Sequence, residues 1–63
     1  MKVYIERENK TVESTAKTGT LLLKELGINP AEILLIRGDD VILPEETLTD
    51  SDDIKILSVV SGG

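Results

Sequence analysis

The sequence predicts a small α+β domain in which one short helix packs across one face of a mixed sheet of four to five strands. Three observations lead to this prediction. The 63 residues suffice for one domain. Of these, 21 are Val, Ile or Leu, enough for one aliphatic core, while Tyr4 is the only aromatic residue. Several short stretches alternate between apolar and polar side chains, and one stretch has helical spacing instead.

The first two strands are predicted to form a hairpin. Residues 2–8 alternate, with Val3 and Ile5 on one face and mainly polar side chains on the other. Asn9 follows, and Asn tolerates the positive φ of a tight turn. Residues 11–15 then resume with several β-branched side chains. We therefore expect two antiparallel strands joined by a tight connection at Asn9 and Lys10.

A short helix is predicted after this hairpin. Thr18 offers a side-chain oxygen at the N-cap position, and Gly27 is the expected C-cap. Three leucines between them share one helix face: Leu22, Leu23 and Leu26. The helix has roughly two turns, so packing must hold it in place. Gly19 near its start is expected to weaken it.

The second half of the chain supplies the remaining strands. Residues 33–37 predict an apolar interior strand, and residues 41–43 a short one. Residues 45–53 predict an acidic loop anchored by Leu48, and residues 54–60 the last strand. The first and last strands are apolar enough to lie side by side and parallel inside the sheet. One helix on one face of such a mixed sheet is the β-grasp arrangement.

Missing residue types exclude most catalytic chemistry. The absence of Cys excludes disulfides, thiolate metal sites and a Cys nucleophile. The absence of His removes the commonest general base and metal ligand. Seven carboxylates lie between Asp39 and Asp53, but without the spacing of a calcium-binding loop, so we expect a solvated segment. We therefore predict no catalytic residue, no metal site and no enzyme activity.

Charge and hydropathy restrict partners and location. The net charge of −5 argues against a nucleic-acid surface and favours a basic protein partner. No apolar run approaches the ~20 residues of a membrane span, and no signal-peptide pattern is present. We expect a cytoplasmic monomer that does not contact a membrane.

Four segments resemble the ThiS/MoaD and ubiquitin-like superfamily, which has the β-grasp fold. The resemblance extends over essentially the whole chain and is best from Leu26 onward, in residues 26–30, 35–45, 50–56 and 59–63. Two departures are visible. Ser51 replaces the usual Gly of the turn before the last strand, and Gly19 lies where an apolar helix residue is common. Both concern local stability rather than the C-terminal end.

The resemblance implies a β-grasp domain over residues 1–60 and a flexible tail over residues 61–63. In that family a ubiquitin-activating-type, ThiF/MoeB-like adenylyltransferase uses ATP to convert the terminal carboxylate, here Gly63, to an acyl-adenylate. Persulfide sulfur from a sulfurtransferase or cysteine desulfurase then gives a thiocarboxylate. A sulfur-accepting synthase consumes it in thiamine, molybdopterin or tRNA thiolation. The chain itself is expected to bind no cofactor.

Two alternatives stay open. The activated Gly63 could join a protein amine through an isopeptide bond, as in ubiquitin-like modifiers. The chain could also be a β-grasp interaction module with an inert tail. Simple chemistry favours a reactive tail of Ser61, Gly62 and Gly63, because Gly has no Cβ and passes a narrow channel. Its acyl carbon is also the least hindered toward attack.

The last predicted strand offers a docking surface beside the tail. If the helix covers the face of Ile54, then Leu57 and Val59 are exposed on the opposite face. We expect them to form an apolar partner-binding patch with two residues of the neighbouring strand, Leu35 and Ile33. The alternative is ordinary sheet packing, since a register error of one residue would exchange the faces.

Overall fold

The computed structural model describes residues 1–59 of the chain. Over this range the chain forms five strands, one α-helix and two short 3₁₀ helices. In chain order the main elements are β1 (Lys2–Ile5), β2 (Lys10–Glu13), α1 (Gly19–Leu26), β3 (Ile33–Arg37), β4 (Asp40–Ile42) and β5 (Asp53–Ser58). The 3₁₀ helices span Glu6–Glu8 and Pro30–Glu32.

The five described strands form one mixed sheet in the order β2-β1-β5-β3-β4. The first and last strands, β1 and β5, lie side by side and run parallel. Every other neighbouring pair is antiparallel. With α1 packed on one face, this is a β-grasp fold, and it confirms the predicted parallel pairing.

The core lies between α1 and the sheet. On the sheet side, four aliphatic residues form two cross-strand pairs that are at most 3% exposed: Val3 with Ile54, and Ile5 with Ile56. Leu22 and Leu23 of α1 belong to the same buried cluster. Each fully buried aliphatic side chain contributes about 1.5–3 kcal/mol before chain entropy is counted. Aliphatic packing therefore holds the helix on the sheet.

Both ends of α1 are capped as predicted. The Thr18 hydroxyl oxygen accepts a hydrogen bond from the Leu21 backbone N–H at 3.2 Å. Gly27 has φ of 70°, and its N–H donates to the carbonyls of Leu23 and Lys24. Leu21 lies off the buried stripe and is half exposed. No helix in residues 1–59 is long and apolar enough to cross a lipid bilayer.

The strands of the first hairpin are shorter than predicted. β1 ends at Ile5, and Glu6–Glu8 forms a 3₁₀ helix instead of continuing the strand. The next inward-facing position would be Arg7, and burying its charge without a partner would be costly. Asn9 closes the turn at φ of 48°, which confirms the predicted positive φ. β2 accordingly spans Lys10–Glu13.

The later strands lie within two residues of the prediction. β3 has the predicted bounds. β4 begins and ends one residue early, because the Leu43 N–H donates to the Glu46 carboxylate at 2.9 Å rather than to a strand. β5 begins one residue earlier than predicted and ends at Ser58.

The acidic loop is fixed to the body of the domain. Leu48 is buried, as predicted, and its N–H donates to the Lys17 carbonyl at 2.7 Å. The Arg37 guanidinium donates to the Thr47 carbonyl at 3.1 Å and lies 3.7 Å from the Asp52 carboxylate. Such a partly exposed ion pair contributes little by itself, so Leu48 is the main anchor.

Gly19 is required by close packing rather than only tolerated. It begins α1 and is buried. A Cβ at this position would lie 2.5 Å from Leu35 Cδ1 and 2.9 Å from the Pro44 carbonyl oxygen. The Thr20 N–H donates to the same oxygen at 2.8 Å, which keeps the helix start against the chain after β4. The departure of Gly19 from the family pattern therefore has a packing reason.

We expect Gly19→Ala to lower the free energy of unfolding by about 1–3 kcal/mol, because the added methyl group overpacks this contact. Helix propensity alone predicts the opposite, a gain of about 1 kcal/mol. The sign of the change in the free energy of unfolding, measured by urea denaturation, therefore decides between overpacking and helix propensity. Lys24→Ala on the exposed side of α1 is the control, expected within about 0.5 kcal/mol of the parent. A Gly19→Ala variant as stable as the parent would contradict the packing argument.

Candidate functional site

The sheet face opposite α1 is the candidate functional surface, and we call it the outer face. Residues directly opposite each other in neighbouring strands share a face, so the observed register defines its members. From β1 to β4 the central members are Lys2, Tyr4, Asp53, Lys55, Leu57, Leu34, Ile36 and Val41. Alternation along β5 matches the prediction, since Ile54 and Ile56 are buried on the helix side.

The prediction that Leu35 and Ile33 lie in an exposed patch is wrong. They are 2% and 7% exposed and belong to the core. Leu35 lies opposite the buried Ile56 in the sheet. The physical reason is that residues 33–36 form an uninterrupted apolar run, in which no alternation marks the inward face. A shift of one residue then moves every side chain to the other face.

Leu34 occupies the position that the prediction gave to Leu35. It is 40% exposed and lies opposite Leu57, which is half-buried on the outer face. Ile36 lies opposite the exposed Val41 in the same way. Together with the exposed Val59, which follows β5, these are five aliphatic residues on or next to the outer face, and we call them the outer apolar patch. Leu34, Ile36 and Val41 become recognisable only once the strand pairing is known.

The described chain ends beside this patch. Val59 follows β5, and its N–H donates to the Glu32 carbonyl at 2.9 Å. This hydrogen bond ties the last described residue to the segment just before β3. The predicted reactive residues Ser61, Gly62 and Gly63 lie outside the described residues, so their roles stay predictions.

The carboxylates of the acidic loop serve local structure. Glu46 accepts the Leu43 N–H, and Asp52 accepts the Thr49 N–H at 2.9 Å. The Ser51 hydroxyl lies 3.2 Å from that of Thr49. In the part of the chain that the structure describes, Ser51 does not have a positive φ, so a Gly is not needed there. No three acidic side chains within residues 1–59 form a group that could hold a metal ion.

Comparison with known proteins identifies relatives. No family model matches the chain. It is similar to a protein of Thermus thermophilus named sulfur carrier protein TtuB, with 36% identity over 42 residues, or 67% of this chain. The match covers 65% of that relative, slightly less than two thirds of its length. An uncharacterized protein of Archaeoglobus fulgidus is 26% identical over 61 residues, which is 97% of this chain and 90% of the relative.

Truncating the two neighbouring leucines of β3 tests the corrected register. We expect Leu35→Ala to lower the free energy of unfolding by about 2–5 kcal/mol, because it leaves a cavity in the core. Leu34→Ala removes the same atoms from a partly exposed site, and we expect a loss of about 1 kcal/mol or less. Thermal and urea unfolding of the matched pair measure the difference. Equal losses, or a larger loss for Leu34→Ala, would contradict the observed register.

Proposed function

We propose that this β-grasp chain is a ThiS/MoaD-type sulfur carrier whose terminal Gly63 holds the sulfur as a thiocarboxylate. The observation that carries this proposal is the similarity to a relative named a sulfur carrier protein. The position of the outer apolar patch, next to the segment that leads to Gly63, supports it. Partner enzymes catalyse each step, and this chain supplies the acyl group.

The absence of Cys restricts how sulfur can be carried. A side-chain persulfide needs a thiol, and the 63 residues contain none. A terminal thiocarboxylate needs only a carboxylate and an enzyme that activates it. Gly62 and Gly63 suit that enzyme, since neither has a Cβ that would obstruct entry into a narrow active site.

The proposed sequence activates a carboxylate that is otherwise a poor acyl donor. An oxygen of the Gly63 carboxylate attacks the α-phosphorus of ATP on a ThiF/MoeB-like adenylyltransferase, and pyrophosphate leaves. The terminal sulfur of a persulfide on a sulfurtransferase or cysteine desulfurase then attacks the acyl carbon, and AMP leaves with the oxygen. A second thiol of the partner cleaves the S–S bond, which releases the thiocarboxylate and leaves a disulfide. A sulfur-accepting synthase for thiamine, molybdopterin or thiolated tRNA consumes the product.

The outer apolar patch is the proposed docking surface for the adenylyltransferase. Leu57 lies near its centre, opposite Leu34, and Val59 continues toward the reactive end. Exposed aliphatic surface of this kind, bordered by charged side chains, is typical of protein interaction sites. Docking there would place Gly63 and ATP on the same side of the domain.

Intact-mass analysis tests the tail chemistry directly. We incubate the chain with ATP, the adenylyltransferase from the same genome, a cysteine desulfurase and cysteine, and expect the mass gain of one oxygen replaced by sulfur. Deletion of Gly63 should abolish the gain, and Gly62→Val should strongly reduce it for steric reasons. Unchanged melting temperatures in both variants serve as the control for folding. Adducts on lysines would favour a protein modifier instead, and no ATP-dependent change would favour an inert module.

Charge insertion tests the docking surface. We expect Leu57→Glu to raise the KM for the chain in ATP–pyrophosphate exchange by about tenfold or more, because a carboxylate would then be buried against an apolar partner surface. The matched control is Leu21→Glu, which adds the same charge at an exposed leucine on the helix side. Equal KM values for the two variants, or loss of cooperative unfolding in Leu57→Glu, would contradict the assigned role.

A further inference from the structure

A groove of about 260 Å³ lies on the outer face next to the outer apolar patch. Its lining includes Lys2 and Tyr4 of β1, Lys55 of β5 and Ile36 of β3. Gly38, which follows β3, also lines the groove, and no atom lies within 4 Å of where its Cβ would be. The groove therefore joins an aliphatic wall to the ammonium groups of Lys2 and Lys55 and to the carboxylate of Asp53.

Lys55 is the central cation of this surface, and its cross-strand neighbours carry no charge. Tyr4 lies opposite it on β1 and Ile36 lies opposite it on β3. Among the described residues, no carboxylate oxygen lies within 4.0 Å of the Lys55 ammonium. An exposed ammonium between a phenol ring and an aliphatic side chain is stable in water, but it needs a counter-charge when a partner covers it.

The other cations in and near the sheet have acidic neighbours. Lys2 lies opposite both Glu13 and Asp53 in the sheet register. The Lys10 ammonium lies 3.7 Å from the Glu8 carboxylate. Among these cations, Lys55 has no acidic residue directly opposite it in the sheet, and the nearest acidic position on its own strand and face is Asp53, two residues away and opposite Lys2.

We infer that the partner surface that covers the outer apolar patch is aliphatic and carries an Asp or Glu carboxylate that binds Lys55. The inference rests on the proposed function, since it describes the enzyme that docks there. A partner that covers both Leu57 and Ile36 also covers Lys55, which lies opposite Ile36 and two residues from Leu57 on the same face of β5. An apolar group against this ammonium would leave a charge buried without a partner, whereas a carboxylate in the groove would form a charge-assisted hydrogen bond.

This inference refines what the net charge predicts. The charge of −5 favours a basic partner during long-range approach. Contact is governed by local charge, and Lys55 places an ammonium without an ion pair beside the outer apolar patch, although the chain as a whole is negative. The two effects therefore call for opposite charges on the partner. Basic groups around its contact surface attract the chain from a distance, and an acidic group within that surface pairs with Lys55.

Direct binding to the adenylyltransferase from the same genome tests the inference. We measure Kd by titration calorimetry without ATP, so that docking is separated from chemistry at Gly63. We expect Lys55→Met, which keeps the aliphatic stem, to raise Kd about fivefold to tenfold, and Lys55→Glu to raise it further, because the partner carboxylate loses its counter-charge. Lys55→Arg, which keeps the positive charge, and Lys24→Glu on the helix side should both stay within about twofold of the parent.

The outcomes distinguish this inference from the proposed tail chemistry. A charge swap would identify the carboxylate that pairs with Lys55. In it, the Lys55→Glu variant would regain binding to a partner in which that Asp or Glu is replaced by Lys. A Lys55→Met variant that binds as tightly as the parent, while Gly63 is adenylated normally, would overturn the inference alone. Binding that depends on Lys55 without any ATP-dependent mass change would support the inference and overturn the tail chemistry. Absence of binding by the parent chain would contradict both.

Discussion

The parallel pairing of β1 with β5 is the constraint on which the rest of the structure depends. It joins the first and last described strands at the middle of the sheet. Its two buried pairs, Val3 with Ile54 and Ile5 with Ile56, form the sheet side of the core. A parallel pair cannot be closed by a hairpin, so the intervening chain must cross over, and α1 lies on that crossover. The helix, both edge strands and the acidic loop are thus arranged around this pair.

The same pairing determines which side chains can meet a partner. Because strand side chains alternate with a period of two residues, burial of Ile54 and Ile56 necessarily places Lys55 and Leu57 on the outer face. The packing of the core therefore determines which side chains make up the proposed docking surface. In a chain this short, where each buried aliphatic residue is needed for stability, one strand serves both purposes.

The sequence predicted the structure correctly where a pattern of residues allowed only one interpretation. Thr18 and Gly27 mark the helix ends by cap chemistry, and Leu48 is the single apolar residue of a polar loop. It was ambiguous where several patterns fit, as for Leu34 and Leu35, which only the pairing of β3 with β5 distinguishes. Contacts between segments distant in sequence, such as Gly19 with Pro44, leave no local signal.

Covalent geometry adds a restriction on the proposed partner. The N–H of Val59 is held by the Glu32 carbonyl, so the chain leaves the sheet from a fixed point beside the outer apolar patch. Four residues follow Val59 up to Gly63, and an extended chain spans at most 3.3–3.6 Å per residue, or about 14 Å in total. If Gly63 is the acyl donor, the ATP site must lie within that distance of the surface that covers Val59. If the enzyme docked on α1, on the other side of the sheet, the four residues after Val59 would have to pass around the edge of the domain to reach its active site. Under the proposed function, the outer face is therefore the side from which so short a segment would enter an active site, which is why the proposed docking surface is the outer apolar patch with Lys55 beside it.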